Sequence, residues 1–303
     1  MRGIVCLLSI LTACVIDLSI SGAGLARSRV PAIAQLETLI AADRKLSGTF
    51  DLADDASTIT SLLTEDVTLF AIPVPGLART KADARQALGE AFGPGQSVVT
   101  TAPIRAGLSS DGTQGFSYGF MNVGRDKLKL GKYVAYWVRS AAGWRVAAFK
   151  WVPRPEGSVS TNRREPALPT KFAASAKDNF AHEQYRKSLD ATERQFSADA
   201  QAMGIGRAFR KYGSGDAMNV GGEADFTFGN DAIAEAQGGD AAKGSPVRWA
   251  PDGVLVSSSG DLGVTFGYLD RNGPTPPGRL TRIPFFTIWR RAAPKNEWRY
   301  VAE

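Results

Sequence analysis

The sequence predicts an α+β protein of two units, each with helices packed on an antiparallel sheet. Helical periodicity comes first in each unit and a run of alternating strands follows. That order occurs twice, and a stretch rich in Pro, Ser and charge divides the two occurrences. The punctuation of "SSDGTQGFSYGFMN" from Ser109 returns in "SSSGDLGVTFGYLD" from Ser257: Gly112, Gly115 and Gly119 recur at Gly260, Gly263 and Gly267, 148 residues later. Ser117 and Tyr118 fall opposite Thr265 and Phe266, "YVAYWVRS" opposite "FFTIWRRA" with Trp137 on Trp289, and "AADRKLS" opposite "ATERQFS". Five matches in one order read as a tandem duplication.

The elements follow from their periods. In "PAIAQLETLIAADRKLS", Ile33, Leu36, Leu39, Ile40 and Leu46 recur at helical spacing, as do Phe180, Tyr185, Leu189 and Phe196 in the second unit. A short helix is expected at 58–63 and again at 205–212, then a break at Asp66 or Asp216, and a strand "VTLFAI" in the first unit. "TKADARQALGEAF" and "NDAIAEAQ" read as a third helix. Strands are predicted over 97–108, 115–123, 133–140 and 144–152, and over 247–257, 262–269, 281–291 and 298–302. The glycine-flanked stretches are turns between long strands, where Ser and Asp side chains bond nearby backbone and Gly supplies positive φ. Asp261 is expected to be a turn residue rather than an acid in a cleft. The divisions are a leader over 1–26, a first unit over 30–153, a linker over 154–178 and a second unit over 179–303.

The leader "MRGIVCLLSILTACVIDLSISGAGLA" carries Arg2, an apolar run from Ile4 and small residues near Ala23 and Ala26. This is a secretory pattern, so an exported, periplasmic or envelope-anchored protein is expected. Two exits compete: "LTAC" over 11–14 resembles a lipobox and would leave Cys14 acylated, whereas cleavage after Ala23 or Ala26 would release a soluble chain. Membrane attachment is expected only through such an anchor. Both cysteines, Cys6 and Cys14, lie in this leader, and His182 is the one histidine. Neither a disulfide, a cysteine nucleophile nor a paired-His metal site is therefore expected in the body, nor any cofactor. His182 opens a helix and reads as a capping or exposed residue. The chain has 303 residues, 44% hydrophobic and 22% charged, with net charge +6. Its Lys and Arg are scattered rather than clustered, so nucleic acid is not an expected partner.

The stretch "ATERQFS…GIGRAFRKYGSGDA…GNDAI…VRWAPDGVLVSSSGDLGVTFGYLD…FFTIWRR…EWRYVAE" resembles a bacterial branch, of unknown function, of the nuclear transport factor 2-like superfamily. That superfamily also holds SnoaL-like cyclases and ketosteroid isomerases. The resemblance covers the second unit from about Gln184 and is fainter in the first, in "AADRKLS", "EDVTLF", "GFSYGF" and "YWVRSAAGWRV". It implies two cone-shaped units, each a curved sheet closed by a long helix around a pocket, and it assigns no reaction.

Within such a cone, Asp43 falls near the apolar stripe of the first helix, and Glu193 is its counterpart; Arg44 and Arg194 follow directly. A carboxyl there would have a raised pKa and could move a proton. The alternative is a pairing with Arg145 or Arg299 that closes helix onto sheet. An isomerase-like site also needs donors, for which Tyr118 and Tyr136 are candidates in the first unit, their counterparts Phe266 and Ile288 being unable to donate. Trp137, Trp249 and Trp289 are candidate ligand contacts, Trp249 at a pocket mouth. The leading expectation is a tandem protein that binds a small apolar or amphipathic ligand, or serves as an interaction scaffold. The alternative is a cofactor-free isomerase, cyclase or hydrolase working in the first cone. The two units are expected to pack sheet to sheet as an internal pseudo-dimer.

Overall fold

The computed structural model describes residues 32–51, 58–72, 74–93, 96–125, 127–170, 178–278 and 280–303. The leader, with Cys6, Cys14 and both cleavage positions, lies outside them. Residues from Ala32 to Glu303 form one compact body.

The first cone contains α1 (Ala32–Asp43), β1 (Gly48–Asp51), α2 (Thr58–Ser61), β2 (Leu63–Ala71), α3 (Lys81–Phe92), β3 (Gln96–Leu108), β4 (Gln114–Val123), β5 (Gly131–Ser140) and β6 (Gly143–Pro153). The second contains α4 (Asn179–Met203), α5 (Ile205–Tyr212), β7 (Gly213–Asn219), β8 (Thr227–Phe228), α6 (Asn230–Ala236), β9 (Val247–Val256), β10 (Leu262–Arg271), β11 (Arg282–Arg290) and β12 (Arg299–Ala302). Each cone has a six-stranded sheet, ordered β1-β3-β4-β5-β6-β2 and β8-β7-β12-β11-β10-β9. The α+β class and the two-cone architecture hold. Each sheet departs from pure antiparallel pairing at one place, where β2 lies parallel to β6 and β7 parallel to β12.

Period-two alternation sorts the strand residues between two environments. On β5, Tyr133, Ala135 and Trp137 face the helices of their own cone, within one buried cluster. Val134 and Tyr136 point the other way, into a cluster that also holds Leu262, Val264, Phe266, Phe286 and Ile288 of the second cone. On β11, Phe285 and Trp289 face α4 and α5. The apolar row Leu262, Val264, Phe266 therefore belongs to the face where the sheets meet, not to the interior of a cone.

The glycines of the same hairpins are explained by the opposite face. A Cβ on Gly115 would lie 2.4 Å from Leu39, and one on Gly263 would lie 2.5 Å from Leu189. Their absence lets α1 and α4 settle close against the sheets. Residues 164–168 run beside β3, with Arg164 N–H donating to Ile104 O, Ala167 N–H to Ala106 O and Leu108 N–H to Ala167 O. This strap continues the edge of the first sheet.

Four elements depart from the periodicity reading. β1, β7 and β8 are strands that the sequence pattern does not announce, and β2 begins at Leu63, where the short helix was expected to end. β7 reads "GSGDAMN", without a strand-like alternation; it is extended because Tyr300 and Ala302 of β12 lie beside it. Tertiary pairing overrides weak local propensity there.

Candidate functional site

Asp43 ends α1, four residues after fully buried Leu39, so helical spacing carries it onto the face that Leu36 and Leu39 bury. Opposite it stand the inward residues of β4 and β5. Ser117 Oγ donates to Asp43 Oδ2 at 2.5 Å, Tyr133 Oη donates to Oδ1 at 2.8 Å, and Trp137 Nε1 donates to Ser117 Oγ at 2.8 Å. Asp43 has no exposed surface. Burial pushes its pKa up to about 6 against the opposing effect of the Ser117 and Tyr133 hydrogen bonds.

The second cone repeats this arrangement with one exchange. Glu193 on α4 accepts from Thr265 Oγ1 at 2.5 Å and from Trp289 Nε1 at 2.9 Å on Oε2, and from Trp249 Nε1 at 2.6 Å on Oε1. Trp289 Nε1 also lies 3.0 Å from Thr265 Oγ1. Ser117 and Thr265 thus match, as do Trp137 and Trp289. The third donor differs: Tyr133 serves in the first cone, where the second has Phe285, and Trp249 serves in the second, where the first has Thr101. Burial raises the Glu193 pKa as well, opposed by those three donors.

The space around the two carboxyls is not alike. In the second cone, the Phe196 ring lies 4.9 Å from Tyr212 and from Trp249, 5.1 Å from Phe209 and 6.0 Å from Trp289 and Tyr300. Aromatic rings fill that interior. In the first cone, Asp43 and Ser117 line a cavity of about 270 Å³ whose other walls include Leu36, Ile40, Ile104 and Ala106. The strap flanks its open side, with Arg163, Arg164, Glu165 and Pro166 on its wall.

Several expected site residues stand elsewhere. Tyr118 and Tyr136 are on the convex face: Tyr118 packs against Phe226 of the second cone at 5.6 Å, and Tyr136 donates to Gln114 Oε1. The expectation that they donate into the first cone is corrected, because each is one residue out of phase with Ser117 or Trp137. The pairing of Asp43 or Glu193 with an arginine on the last strand is corrected too. Arg145 donates to its neighbour Trp144 O, and Arg299 to Lys211 O and Glu297. Arg44 is exposed, and Arg194 pairs with Asp190 outside the cone. Trp137 and Trp289 are buried within their cones. Trp249 is buried against Phe196, so it fills the interior rather than lining a mouth. His182 Nε2 lies 2.8 Å from Val256 O. Ser117, Tyr133 and Thr265 belong to the site and were not candidates. Two of them sit at matched positions of the repeat, the one signal that could have found them.

Among the described residues no group of three or more His, Cys, Asp or Glu is placed to hold a metal, and no helix is long and apolar enough to cross a membrane. No family model matches the chain, and no curated protein matches it significantly. Among solved structures, a Nostoc punctiforme protein of unknown function with a cystatin-like fold is 17% identical, with TM-score 0.32, the match covering 42% of this chain and 96% of the other. A putative ketosteroid isomerase from Parabacteroides distasonis is 13% identical, with TM-score 0.30 and coverage of 39% and 86%. A nuclear transport factor 2-like protein from Novosphingobium aromaticivorans is 17% identical, with TM-score 0.28 and coverage of 41% and 80%. The structural neighbours of this chain are thus nuclear transport factor 2-like and ketosteroid-isomerase-like proteins, and at these identities the likeness is one of fold alone.

Proposed function

We propose that the first cone binds a small, mainly apolar ligand whose hydrogen-bond donor meets Asp43, and that the second cone is its filled structural counterpart. One observation carries this reading: matched buried carboxyls face a cavity in one cone and packed rings in the other. A concave, mostly apolar space with one convergent polar group is the usual form of a small-molecule site. A screen of small apolar alcohols, amines and amides by thermal unfolding tests it, since a ligand of the folded state raises Tm with concentration. Shifts in the wild type that vanish in Ala106→Trp and Ile40→Phe, both folded by near-UV circular dichroism, are the expected result. Equal shifts in wild type and both filled variants would remove the reading.

The enzyme alternative draws on the same carboxyl, which with a pKa near 6 exchanges its proton close to neutrality. It needs a ligand that is turned over, and an Asp43→Asn variant that still binds that ligand while losing turnover would favour it. The pseudo-dimer reading is supported by the cluster shared between the sheets. Export is supported by the leader pattern, and N-terminal mass spectrometry of native protein tests it: retention of Met1 would remove it.

A further inference from the structure

The charges around the first cavity do not leave Asp43 balanced. The charged side chains facing the cavity are Glu37 on α1, Arg105 on β3, and Arg163, Arg164 and Glu165 on the strap, and the exposed guanidinium of Arg44, next in the chain, acts on Asp43 through its charge without pairing with it. Arg105 is committed elsewhere: its Nη2 lies 2.5 Å from Asp216 Oδ2, its Nη1 donates to Asp216 O and its Nε to Glu165 O. Glu37, Arg163, Arg164 and Glu165 are exposed at the rim, two of each sign, and cancel. Asp43 lies at the base, unexposed, and no Lys or Arg among the described residues comes within ion-pair distance of it.

The second cone shows how such a carboxyl is satisfied when no ligand can enter. Glu193 takes three direct donors, two of them indole N–H groups, and Trp249 supplies the one on Oε1. Asp43 takes two, and its side chain is one methylene shorter. The position of Trp249 is held by Thr101 in the first cone: both backbone N–H groups donate to the matched serines Ser197 and Ser47, but Thr101 has no indole to reach a carboxyl. Asp43 therefore takes one donor fewer than Glu193, and the space it lines is walled by apolar side chains. A buried carboxylate is stabilised most by a paired, hydrogen-bonded cation.

Resting on the cavity reading above, the geometry points to a small apolar amine as the ligand class: its ammonium bonds Asp43, and its hydrocarbon body lies against Leu36, Ile40, Ile104 and Ala106. An alcohol of the same shape offers one donor and no charge, so the ionised carboxylate discriminates between them.

Isothermal titration of the full chain with hexylamine and with 1-hexanol tests this. At about pH 7.5 the wild type is expected to bind the amine about tenfold more tightly or better, the scale of a charge-assisted hydrogen bond over a neutral one. Asp43→Asn is expected to lose that preference and keep hexanol binding. Should that variant fail to fold, the wild type at about pH 5 gives the same readout, because protonation of Asp43 reduces the preference about tenfold. Equal affinities for amine and alcohol on the wild type overturn the amine assignment and leave the cavity reading standing. No binding of either probe to the wild type, with Ala106→Trp indistinguishable from it, removes the cavity reading and this inference together.

Discussion

Asp111 and Asp261 each hold their own hairpin turn and the other cone's turn at the same time. Asp111 Oδ1 accepts from Ser109 Oγ and Thr113 at home, while Oδ2 accepts from Ser258 Oγ at 2.5 Å and Ser259 N–H at 2.9 Å. Asp261 Oδ1 accepts from Ser257 Oγ and Ser259 Oγ, and Oδ2 accepts from Ser110 N–H at 2.9 Å. The two acids are not at matched positions, for Ser259 stands opposite Asp111 and Thr113 opposite Asp261. The same reciprocal clasp is reached by two different placements.

Asp111→Ala is expected to cost about 1–3 kcal/mol in urea unfolding, because it leaves the Ser259 N–H without its acceptor. Burial alone would raise the Asp111 pKa, but hydrogen bonds from Ser109, Ser258 and Thr113 outweigh it and hold the carboxyl below its usual range. Its contribution is thus present above the unfolded pKa and lost as pH falls through the folded one. Asp111→Ala with Asp261→Ala should be non-additive by about 0.5 kcal/mol or more, since both close one contact. Strict additivity would show two independent turns.

Asp43 gives a dependence of opposite sign. Its folded pKa of about 6 stands above the ordinary aspartate value of 3.8, so between those values the folded chain binds more protons and stability falls as pH rises. The span corresponds to about 3 kcal/mol. Asp43→Asn removes that slope, so the variant should compare better with wild type at about pH 7.5 than at about pH 4.5. An unchanged difference between the two conditions would show that Asp43 ionises freely.

The Arg105–Asp216 pair joins the cones and ties the strap to them, with side-chain exposures of 7% and 35%. Although burial works to raise it, the Asp216 pKa is held at about 2 by bonds from Ser214 and Arg105 and by the charges of Arg105 and Arg290. That contribution is full above about pH 4 and lost as pH falls towards 2. Arg105→Met should cost about 3 kcal/mol, near the lower end for a broken buried pair because Asp216 keeps some contact with water. Faster hydrogen exchange at the Arg164 and Ala167 amides would accompany it; unchanged exchange would show that the strap holds without the pair.

Lys132, with no exposed surface, sets its Nζ among the carbonyls of Val220, Gly221, Glu223 and Asp225, so that its three N–H groups serve four acceptors with one shared. One ammonium on β5 thereby organises the loop between β7 and β8. Lys132→Met should cost about 3 kcal/mol and expose the amides of 220–226 to exchange. Protection of that loop in the variant would place its order elsewhere.

The duplicated helix-then-strand order was legible from period and punctuation alone, because burial on one face leaves a direct trace in residue order. Asp43 and Glu193 were legible as inward acids for the same reason. Their partners were not. Alternation on β4 and β5 separates Ser117 from Tyr118 and Trp137 from Tyr136 without telling which set is concave, since both faces of these strands are buried.

Sequence by itself determined two α+β units, their turns, and a carboxyl near the apolar stripe of each long helix, all consequences of local spacing. Only the tertiary structure decided that Tyr118 and Tyr136 serve the meeting of the sheets, and that a cavity lies beside Asp43 whereas aromatic rings surround Glu193. It also set β7 as a strand and carried Asp111 and Asp261 across to the opposite turns. Each of these depends on which distant residue arrives opposite, and cross-strand register and inter-sheet packing set that partner only once the chain has closed.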